Sequence, residues 1–296
     1  MRVFITGGSG FVAGHMLPYL ERQGIEVRAS GPELEITDQS QLESSFSAAA
    51  PDTILHLAAQ SSVAASWDDP AESFRSNTLG TLAVLRAAAA SCPSARILLV
   101  SSGDTYGSAQ PSARPYRESD PLRPASPYAR SKVAADLMAG LAGRAGLAVV
   151  RIRAFTHMGA GQTDRFVASS FARQLAEMEA GLREPVLRVG NLDSLRDFLD
   201  VEDVVRAYWE LMSPKVPTGV YNVASGRGIR IQNLLDQLVE LSRVDPRIEV
   251  DPERFRQTDQ LVGDAGKLRN ATGWQPQVPL GTTLSRLLES WRGRLG

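Results

Sequence analysis

Short apolar runs alternate with longer amphipathic stretches along the first half of the chain. The runs RVFIT, IEVRAS, TILHLAA, RILLVSS and LAVVRIRAF have the length and composition of buried strands. The segments between them, including the alanine-rich NTLGTLAVLRAAAA and the long SPYARSKVAADLMAGLAGRAG, have helical character. A repeated strand and helix order is typical of a parallel sheet with helices on both faces. The pattern therefore predicts an α/β fold, a Rossmann-like doubly wound parallel sheet.

The alternation weakens beyond residue 156. There the pattern predicts a helix around 166–181, a return strand near 219–224, a helix at 231–242 and a polar tail that ends in a short helix. We expect a smaller α/β lobe interleaved with the first. The smaller lobe is predicted to consist of residues 156–197 and 225–296. The Rossmann domain is predicted to consist of residues 1–155 and 198–224.

Composition narrows the classes of function. The chain has 296 residues, a formal net charge of -1 and a pI near 6.3, so no positive field favours nucleic acid or an anionic membrane surface. Cys92 is the single cysteine, and His15, His56 and His157 are scattered without metal-ligand spacing. The first residues form a predicted strand rather than a signal region, and no apolar run has membrane length. We expect a cytoplasmic protein with no bound metal, no nucleic-acid partner and no membrane partner.

A glycine-rich loop follows the first predicted strand. Residues 6–14, TGGSGFVAG, contain Gly8-x-Gly10-x-x-Ala13 as well as Gly7 and lead into the first helix. Small residues let the backbone approach a pyrophosphate, whose charge is stabilised at the helix N-terminus. An ordinary tight turn is the alternative. The position after the first strand of an alternating fold favours dinucleotide binding.

The end of the second strand bears on the choice of dinucleotide. An NAD site usually carries an acidic residue there, and an NADP site a basic one. This chain has Ser30 and Gly31 at that point, and Arg28 shortly before them. Arg28 is explained equally well as a 2′-phosphate ligand or as a solvated strand residue. Both NADP and NAD remain candidates.

Three side chains suggest carbonyl chemistry. Tyr128 and Lys132 are four residues apart at the start of a long predicted helix, so they share one helix face. A nearby ammonium lowers the pKa of a tyrosine, which makes the phenol a better proton donor or acceptor near neutrality. Ser102 ends a strand, where its hydroxyl can bind a carbonyl oxygen. The alternative is a solvated Tyr and Lys with a loop-capping serine. Together with the glycine loop, the three favour reduction of a ketone by hydride.

These motifs resemble those of the extended short-chain dehydrogenase/reductases. The matching pieces are TGGSGFVAG, HLAAQSS (56–62), NTLGT (77–81), SSGDTYG (101–107) and SPYARSK (126–132), in that order. The second half is similar to the branch that acts on GDP-sugars, through RAFTHMGAGQ (153–162), RVGNLDSLRDFLDVEDVVRAYW (188–209) and YNVASG (221–226). The resemblance covers nearly the whole chain.

The resemblance implies an activity and a set of site residues. It implies NAD(P)H-dependent reduction of the C4 ketone of GDP-4-keto-6-deoxy-D-mannose to GDP-6-deoxy-D-mannose, also called GDP-D-rhamnose, in a homodimer built on paired long helices. The implied catalytic residues are Ser102, Tyr128 and Lys132. The implied cofactor-binding residues are Gly7, Gly10, Phe11, Val12, Ser30, Leu57, Ala58, Ala59, Tyr128 and Lys132. The implied substrate-binding residues are Ser61, Asp104, Thr156, Arg196 and Arg254, most of them in the smaller, nucleotide-sugar-binding lobe.

Two positions depart from the related dehydratases and one from the GDP-sugar branch. Elimination of water needs an acid and a base beside the hydroxyl of residue 102. Gly103 has no side chain, and Asp104 is one methylene shorter than the glutamate of the dehydratases. Simple reduction is therefore favoured over elimination, with Asp104 also explained as a loop-capping residue. Thr156 replaces an asparagine that is common in the GDP-sugar branch, and this departure bears on the identity of the sugar.

Other readings stay open at this point. A GDP-mannose 4,6-dehydratase or a nucleotide-sugar 4-epimerase could use the same scaffold, and a non-catalytic dinucleotide-binding protein is a further alternative. Glu177 is a candidate acceptor for guanine, although a charged residue on an amphipathic helix is more often solvated. His157 is expected to be a hydrogen-bonded structural residue.

Overall fold

The structure is a computed structural model that describes residues 1–107, 114–252 and 260–295. In chain order its strands are β1 Arg2–Thr6, β2 Glu26–Ser30, β3 Thr53–His56, β4 Arg96–Ser102, β5 Ala148–Ala154, β6 Thr156–Met158, β7 Val186–Val189, β8 Leu195–Asp200, β9 Gly219–Val223, β10 Gly228–Arg230, β11 Arg247–Val250 and β12 Gln260–Leu261. Its α-helices are α1 Phe11–Arg22, α2 Gln39–Ala49, α3 Ala65–Asp68, α4 Pro70–Phe74, α5 Gly80–Ser91, α6 Pro127–Arg144, α7 Val167–Glu179, α8 Val201–Met212, α9 Ile231–Leu241, α10 Gly266–Thr272 and α11 Leu280–Leu295.

A parallel sheet forms the centre of the molecule. Its order is β2-β1-β3-β4-β5-β9, and each neighbouring pair runs parallel. Thr6 is in register with His56, and Ser102 with Ala154, so the carboxyl ends of these strands meet at one edge. The expected Rossmann-like fold is confirmed. Ligands of such sheets bind at this edge.

Helices cover both faces of the sheet because its strands are apolar on both sides. Met16 and Leu20 of α1 and Leu211 of α8 belong to the core on one face. Phe46 of α2 and Val84 of α5 belong to the core on the other. Burial of each such side chain contributes about 1.5–3 kcal/mol. This two-sided packing fixes the sheet edge that carries the candidate site.

A second core joins the remaining helices and short strands. In the described residues, β8 pairs with β10, β12 and β6, while β7 pairs with β11. Helices α7, α9 and α11 pack together through residues such as Phe171, Leu235 and Leu287. Leu268 of α10 instead belongs to the core of the central sheet. The predicted division into 1–155 with 198–224 and 156–197 with 225–296 stays a prediction.

Several elements of the second half differ from the expectation. The return strand and the helix near 231–242 are present as β9 and α9. The pattern missed α8, although Asp200 caps its start by accepting the Glu202 N–H. It also missed the short strands, since two to six residues leave little periodicity. The terminal helix α11 has 16 residues and is longer than expected. No helix in the described ranges is long and apolar enough to cross a membrane.

Candidate active site

The glycine loop lies between the end of β1 and the start of α1. Gly7 has a φ of +72°, and a Cβ there would lie 2.7 Å from the backbone N of Ala58. Gly10 precedes α1, and no side chain caps that helix end. Phe11 and Val12 form its half-buried first turn. The loop therefore presents helix N–H groups beside a small-residue cradle, which fits the pyrophosphate of a dinucleotide.

The end of β2 approaches the same loop. The Gly8 N–H donates to the carbonyl of Ser30 at 2.6 Å. The Ser30 hydroxyl is buried and has no hydrogen-bond partner in the described structure, so it has bonding capacity left for a ligand. Arg28 and Ser30 also line a cavity of about 520 Å³ between β2 and α2. This orphaned hydroxyl is a second feature that fits a bound cofactor.

A buried histidine positions the segment after β3. The His56 ring lies 2.7 Å from the Thr6 hydroxyl and 3.2 Å from the Thr81 hydroxyl. Burial, followed by the charge of Lys132, lowers the pKa of His56 to about 3, so the imidazole is neutral. The Thr6 hydroxyl also accepts the Ala58 N–H at 3.3 Å. This network holds the three predicted cofactor residues of the segment, which are half-buried: Leu57, Ala58 and Ala59.

Ser102 and Asp104 form a compact turn at the end of β4. The Ser102 hydroxyl accepts the Asp104 N–H and donates to its carboxylate, both at 3.1 Å. Gly103 lies beneath the ring of Phe155, and a Cβ on Gly103 would be 3.1 Å from two ring atoms. A methyl group at residue 103 would require that ring to shift by a few tenths of an ångström. Asp104 is therefore the acidic group next to the hydroxyl.

Helix α6 begins so that Tyr128 lies in its first turn. Ser126 caps the helix by accepting the Ala129 N–H at 3.1 Å, and Pro127 takes the first helical position. Tyr128 and Lys132 are each only 7% exposed, as is Ser102. The Lys132 ammonium donates to the carbonyl of Val100 at 3.0 Å. Helix α6 and strand β4 thus bring the three predicted catalytic side chains into one buried region.

The ionisation of these groups differs from the expectation. Burial raises the pKa of Tyr128, the Asp104 carboxylate raises it further, and a hydrogen bond from Ser102 opposes the shift. The expected lowered pKa of Tyr128 is therefore wrong for this structure. Burial lowers the pKa of Lys132 to about 8. The phenol is consequently protonated at neutral pH and suited to donate a proton.

A π-helical segment supplies a residue that the sequence reasoning missed. The chain runs from α4 through the π-helix Arg75–Leu79 into α5, and this segment buries Asn77. The Asn77 amide donates to the Ser131 hydroxyl at 2.9 Å and to the Gln60 carbonyl at 3.0 Å. Ser131 lies between the two predicted catalytic residues of α6. Asn77 thus ties the segment after β3 to the start of α6, and it is the first residue of the NTLGT motif.

The predicted substrate residues lie on several elements. Thr156 begins β6 and is in register with Phe198 of β8, two residues from Arg196. Both Thr156 and Arg196 are half-buried, while Ser61 is exposed in the segment after β3. Arg254 lies outside the described residues. The substrate roles of these residues and of Asp104 stay predictions.

Two further candidates are engaged by protein groups. The Glu177 carboxylate accepts from Arg173 at 2.6 Å and from Arg183 at 2.9 Å. His157 bonds to the Phe155 carbonyl at 3.0 Å, and burial lowers its pKa. These contacts agree with a structural role for His157 and give Glu177 two partners within its own lobe.

A buried carboxylate joins strand β8 to the segments that follow β9 and β12. Asp197 of β8 accepts the N–H groups of Ser225 at 2.8 Å, Gly226 at 3.0 Å and Gly263 at 3.2 Å. Ser225 and Gly226 follow β9 at the carboxyl edge of the sheet. Because β8 also carries Arg196, this junction fixes that arginine relative to the edge.

Comparison with known proteins gives one family and several similar chains. Residues 32–287 match the family model of GDP-mannose 4,6-dehydratase. The chain is 38% identical to the GDP-6-deoxy-D-mannose reductase of Pseudomonas aeruginosa, over 99% of this chain and 98% of that protein. It is 26% identical to the UDP-glucose 4-epimerase of Halalkalibacterium halodurans, over 98% and 95% of the two chains.

Solved structures show the same architecture. RMD from Pseudomonas aeruginosa complexed with NADPH superposes with a TM-score of 0.92 at 37% identity, covering 99% of each chain. Thermus thermophilus UDP-glucose 4-epimerase complexed with NAD has a TM-score of 0.88 at 28% identity and also covers 99% of each chain. Both similar structures hold a nicotinamide dinucleotide.

Proposed function

We propose that this chain, which belongs to the GDP-mannose 4,6-dehydratase family, is a nicotinamide-dependent nucleotide-sugar reductase. The proposed reaction is NAD(P)H-dependent reduction of the C4 ketone of GDP-4-keto-6-deoxy-D-mannose, which gives GDP-6-deoxy-D-mannose. The similarity to the Pseudomonas aeruginosa reductase over almost the full length of both chains supports this substrate.

The turn after β4 is the observation that carries the choice of reaction. A ketone reduction needs a polarised carbonyl and one proton, whereas elimination needs a second acid or base. Gly103 supplies no side chain, and the overlying Phe155 ring occupies the space in which one would start. Asp104, the acidic residue of this turn, is one methylene shorter than a glutamate. This arrangement supports reduction over dehydration.

Ser102, Tyr128 and Lys132 have different roles in the proposed reaction. A bound dinucleotide supplies the hydride. When the ketone is bound, the hydroxyl of Ser102 would turn its single proton from the Asp104 carboxylate to the ketone oxygen, which stabilises the charge that develops there. Tyr128, protonated because burial raises its pKa, gives its proton to the same oxygen. Lys132 binds the ribose hydroxyls, and its buried charge stabilises the phenolate that Tyr128 leaves behind.

The cofactor and substrate would lie on opposite sides of this centre. The residues that would hold the dinucleotide are Gly7, Gly10, Phe11, Val12, Ser30, Leu57, Ala58, Ala59, Tyr128 and Lys132. The residues that would hold the GDP-sugar are Ser61, Asp104, Thr156, Arg196 and Arg254. Arg196 on β8 suits the diphosphate of the GDP-sugar because a guanidinium group pairs with phosphate oxygens in two parallel hydrogen bonds.

We extend the proposal to a cytoplasmic homodimer. Leu137 and Leu141 lie one turn apart on α6 and are 57% and 56% exposed, and Leu82 of α5 is 36% exposed. Large exposed leucines on neighbouring helices favour association with an equivalent surface of a second copy. The cytoplasm is the compartment that supplies both reduced nicotinamide cofactors and nucleotide sugars.

The test is a direct assay with the keto-sugar nucleotide. The purified protein is incubated with GDP-4-keto-6-deoxy-D-mannose and NADH or NADPH, and the nicotinamide absorbance is followed. We expect one cofactor oxidised per sugar and a product heavier by two hydrogens. Tyr128→Phe is expected to abolish turnover, with Tyr19→Phe of α1 as the control. Absence of oxidation with both cofactors would refute the proposal.

The same assay separates the other members of the family. A 4-epimerase would convert its sugar without net consumption of cofactor. A dehydratase would form the keto sugar from GDP-mannose with no added reductant. Either result would replace the proposed reaction, whereas oxidation of added cofactor by the keto sugar supports it.

A further inference from the structure

An acidic side chain beyond the end of β2 reaches back toward the glycine loop. The Glu33 carboxylate accepts the Gly31 N–H at 2.6 Å. A Cβ on Gly31 would lie 2.8 Å from a Glu33 carboxylate oxygen and 3.6 Å from the Ser9 hydroxyl. Ser9 belongs to the glycine loop. The carboxylate therefore fills the place in which a longer side chain at residue 31 would begin.

The charge of Glu33 is secured by its own surroundings. Hydrogen bonds from the backbone N–H groups of Glu33 and Gly31 lower the pKa of this carboxyl group. The side chain is exposed at the mouth of the cavity of about 520 Å³ between β2 and α2. An ionised, accessible carboxylate thus stands next to the loop that fits the pyrophosphate.

This position is where the adenosine ribose of a dinucleotide would lie. In Rossmann folds, the residues after the second strand contact that ribose, and the pyrophosphate lies on the first helix. A carboxylate accepts hydrogen bonds from the two ribose hydroxyls of NADH. The 2′-phosphate of NADPH carries about 1.5 to 2 negative charges and would meet the carboxylate as a like charge. Ser30, buried with an unpartnered hydroxyl, adds a donor for the uncharged ribose.

Arg28 is the competing determinant. It lies two residues before Ser30 on the same strand and lines the same cavity. Two residues of an extended strand correspond to about 6.6 Å, so Arg28 starts farther from the strand end than Ser30 does. The Glu33 carboxylate is held in place by the Gly31 N–H, whereas Arg28 begins two residues farther back on β2.

We infer that Glu33 determines the cofactor specificity of this chain and makes its dinucleotide site select NADH over NADPH. The inference rests on the proposed function, because that function supplies the dinucleotide.

The experiment measures binding without the sugar substrate. The purified protein is titrated with NADH and with NADPH, and the nicotinamide fluorescence gives the two dissociation constants. We expect NADH to bind about fivefold more tightly, since a charge contact at an exposed position is worth up to about this factor. Glu33→Gln is expected to remove most of this preference. Glu33→Asp, which keeps the charge on a shorter side chain, is expected to give an intermediate ratio.

Two control variants make the result specific. Glu26→Gln removes the same charge from the opposite end of β2, where the residue is exposed, and is expected to leave the ratio unchanged. Arg28→Gln is also expected to leave it unchanged. Equal binding of both cofactors, an equal shift in the Glu33 and Glu26 variants, or selective loss of NADPH in the Arg28 variant would overturn the inference alone. Failure to bind either cofactor would overturn the proposed function as well.

Discussion

Replacement of Lys132 by methionine tests the electrostatics of the proposed site. Lys132 is 7% exposed, and its ammonium donates to the carbonyl of Val100 at 3.0 Å. Methionine has a similar length and no charge, so Lys132→Met removes the ammonium with little change in packing. The proposed role of Lys132 predicts that carbonyl reduction is lost. Its burial predicts that stability increases.

The size of the stability change follows from the pKa of the buried group. Burial lowers the pKa of Lys132 from 10.5 to about 8. At about 1.36 kcal/mol for each pKa unit, the charged ammonium destabilises the folded chain by about 3 kcal/mol at neutral pH. Loss of the hydrogen bond to Val100 costs about 1 kcal/mol. We therefore expect Lys132→Met to stabilise the fold by about 2 kcal/mol at neutral pH.

The pH dependence of the folding stability follows from the lowered pKa of Lys132. Between about 8 and 10.5 the unfolded chain holds a proton that the folded chain has released, so the stability of the unmodified protein rises with pH there. Lys132→Met lacks this rise, so its advantage of about 2 kcal/mol falls to zero within the window and becomes a disadvantage of about 1 kcal/mol above it, where only the lost hydrogen bond to Val100 remains. Urea unfolding at neutral and alkaline pH measures the difference, with Lys215→Met at an exposed position as the control. A variant that is less stable at neutral pH, or an advantage independent of pH, would refute the reasoning.

Three further predictions concern packing and assembly. Asp136→Ala of α6 leaves Arg153 buried without the carboxylate that lies 2.8 Å away. We therefore expect the free energy of unfolding, measured in urea, to fall by about 3–5 kcal/mol. A fall of less than about 1 kcal/mol would contradict the view that this ion pair stabilises the fold. Gly103→Ala forces a methyl group toward an aromatic ring 3.1 Å away and is expected to cost about 1–3 kcal/mol, measured by thermal unfolding. Combined Leu137→Glu and Leu141→Glu is expected to convert the proposed homodimer to a folded monomer in analytical ultracentrifugation, and a dimer that persists would exclude this surface.

The sequence predicts those parts of the site that depend on local geometry. The glycine loop is contiguous, and its position after β1 follows from the order of elements. Tyr128 and Lys132 share a face of α6 because four residues span about one helical turn. Ser102 ends a strand of the parallel sheet, so its place at the carboxyl edge follows from the fold class. These features require no knowledge of how distant segments meet.

Contacts between distant segments were beyond sequence reasoning. Asn77 reaches Ser131 across 54 positions of the chain, and nothing in the periodicity of either segment pairs them. The strand end itself carries Ser30 and Gly31, so the sequence pattern predicts no acid there; the Glu33 carboxylate comes from farther along the chain and folds back to the Gly31 N–H. In the smaller lobe, β10 and β12 have three and two residues, too few for a period-two pattern.

The direction of the Tyr128 pKa shift bears on the direction of the proposed reaction. Spacing alone predicted a lowered pKa, because it placed a lysine nearby and left burial out. In the structure, burial and the Asp104 carboxylate outweigh the hydrogen bond from Ser102 and keep the phenol protonated. Reduction of a ketone requires a protonated tyrosine, whereas oxidation of an alcohol requires the phenolate. A reduced nicotinamide ring, being uncharged, would leave this balance in place, whereas an oxidised ring would bring a positive charge that lowers the pKa of the phenol. The burial that makes Tyr128 a poor base therefore makes the same side chain a ready acid for the proposed reduction.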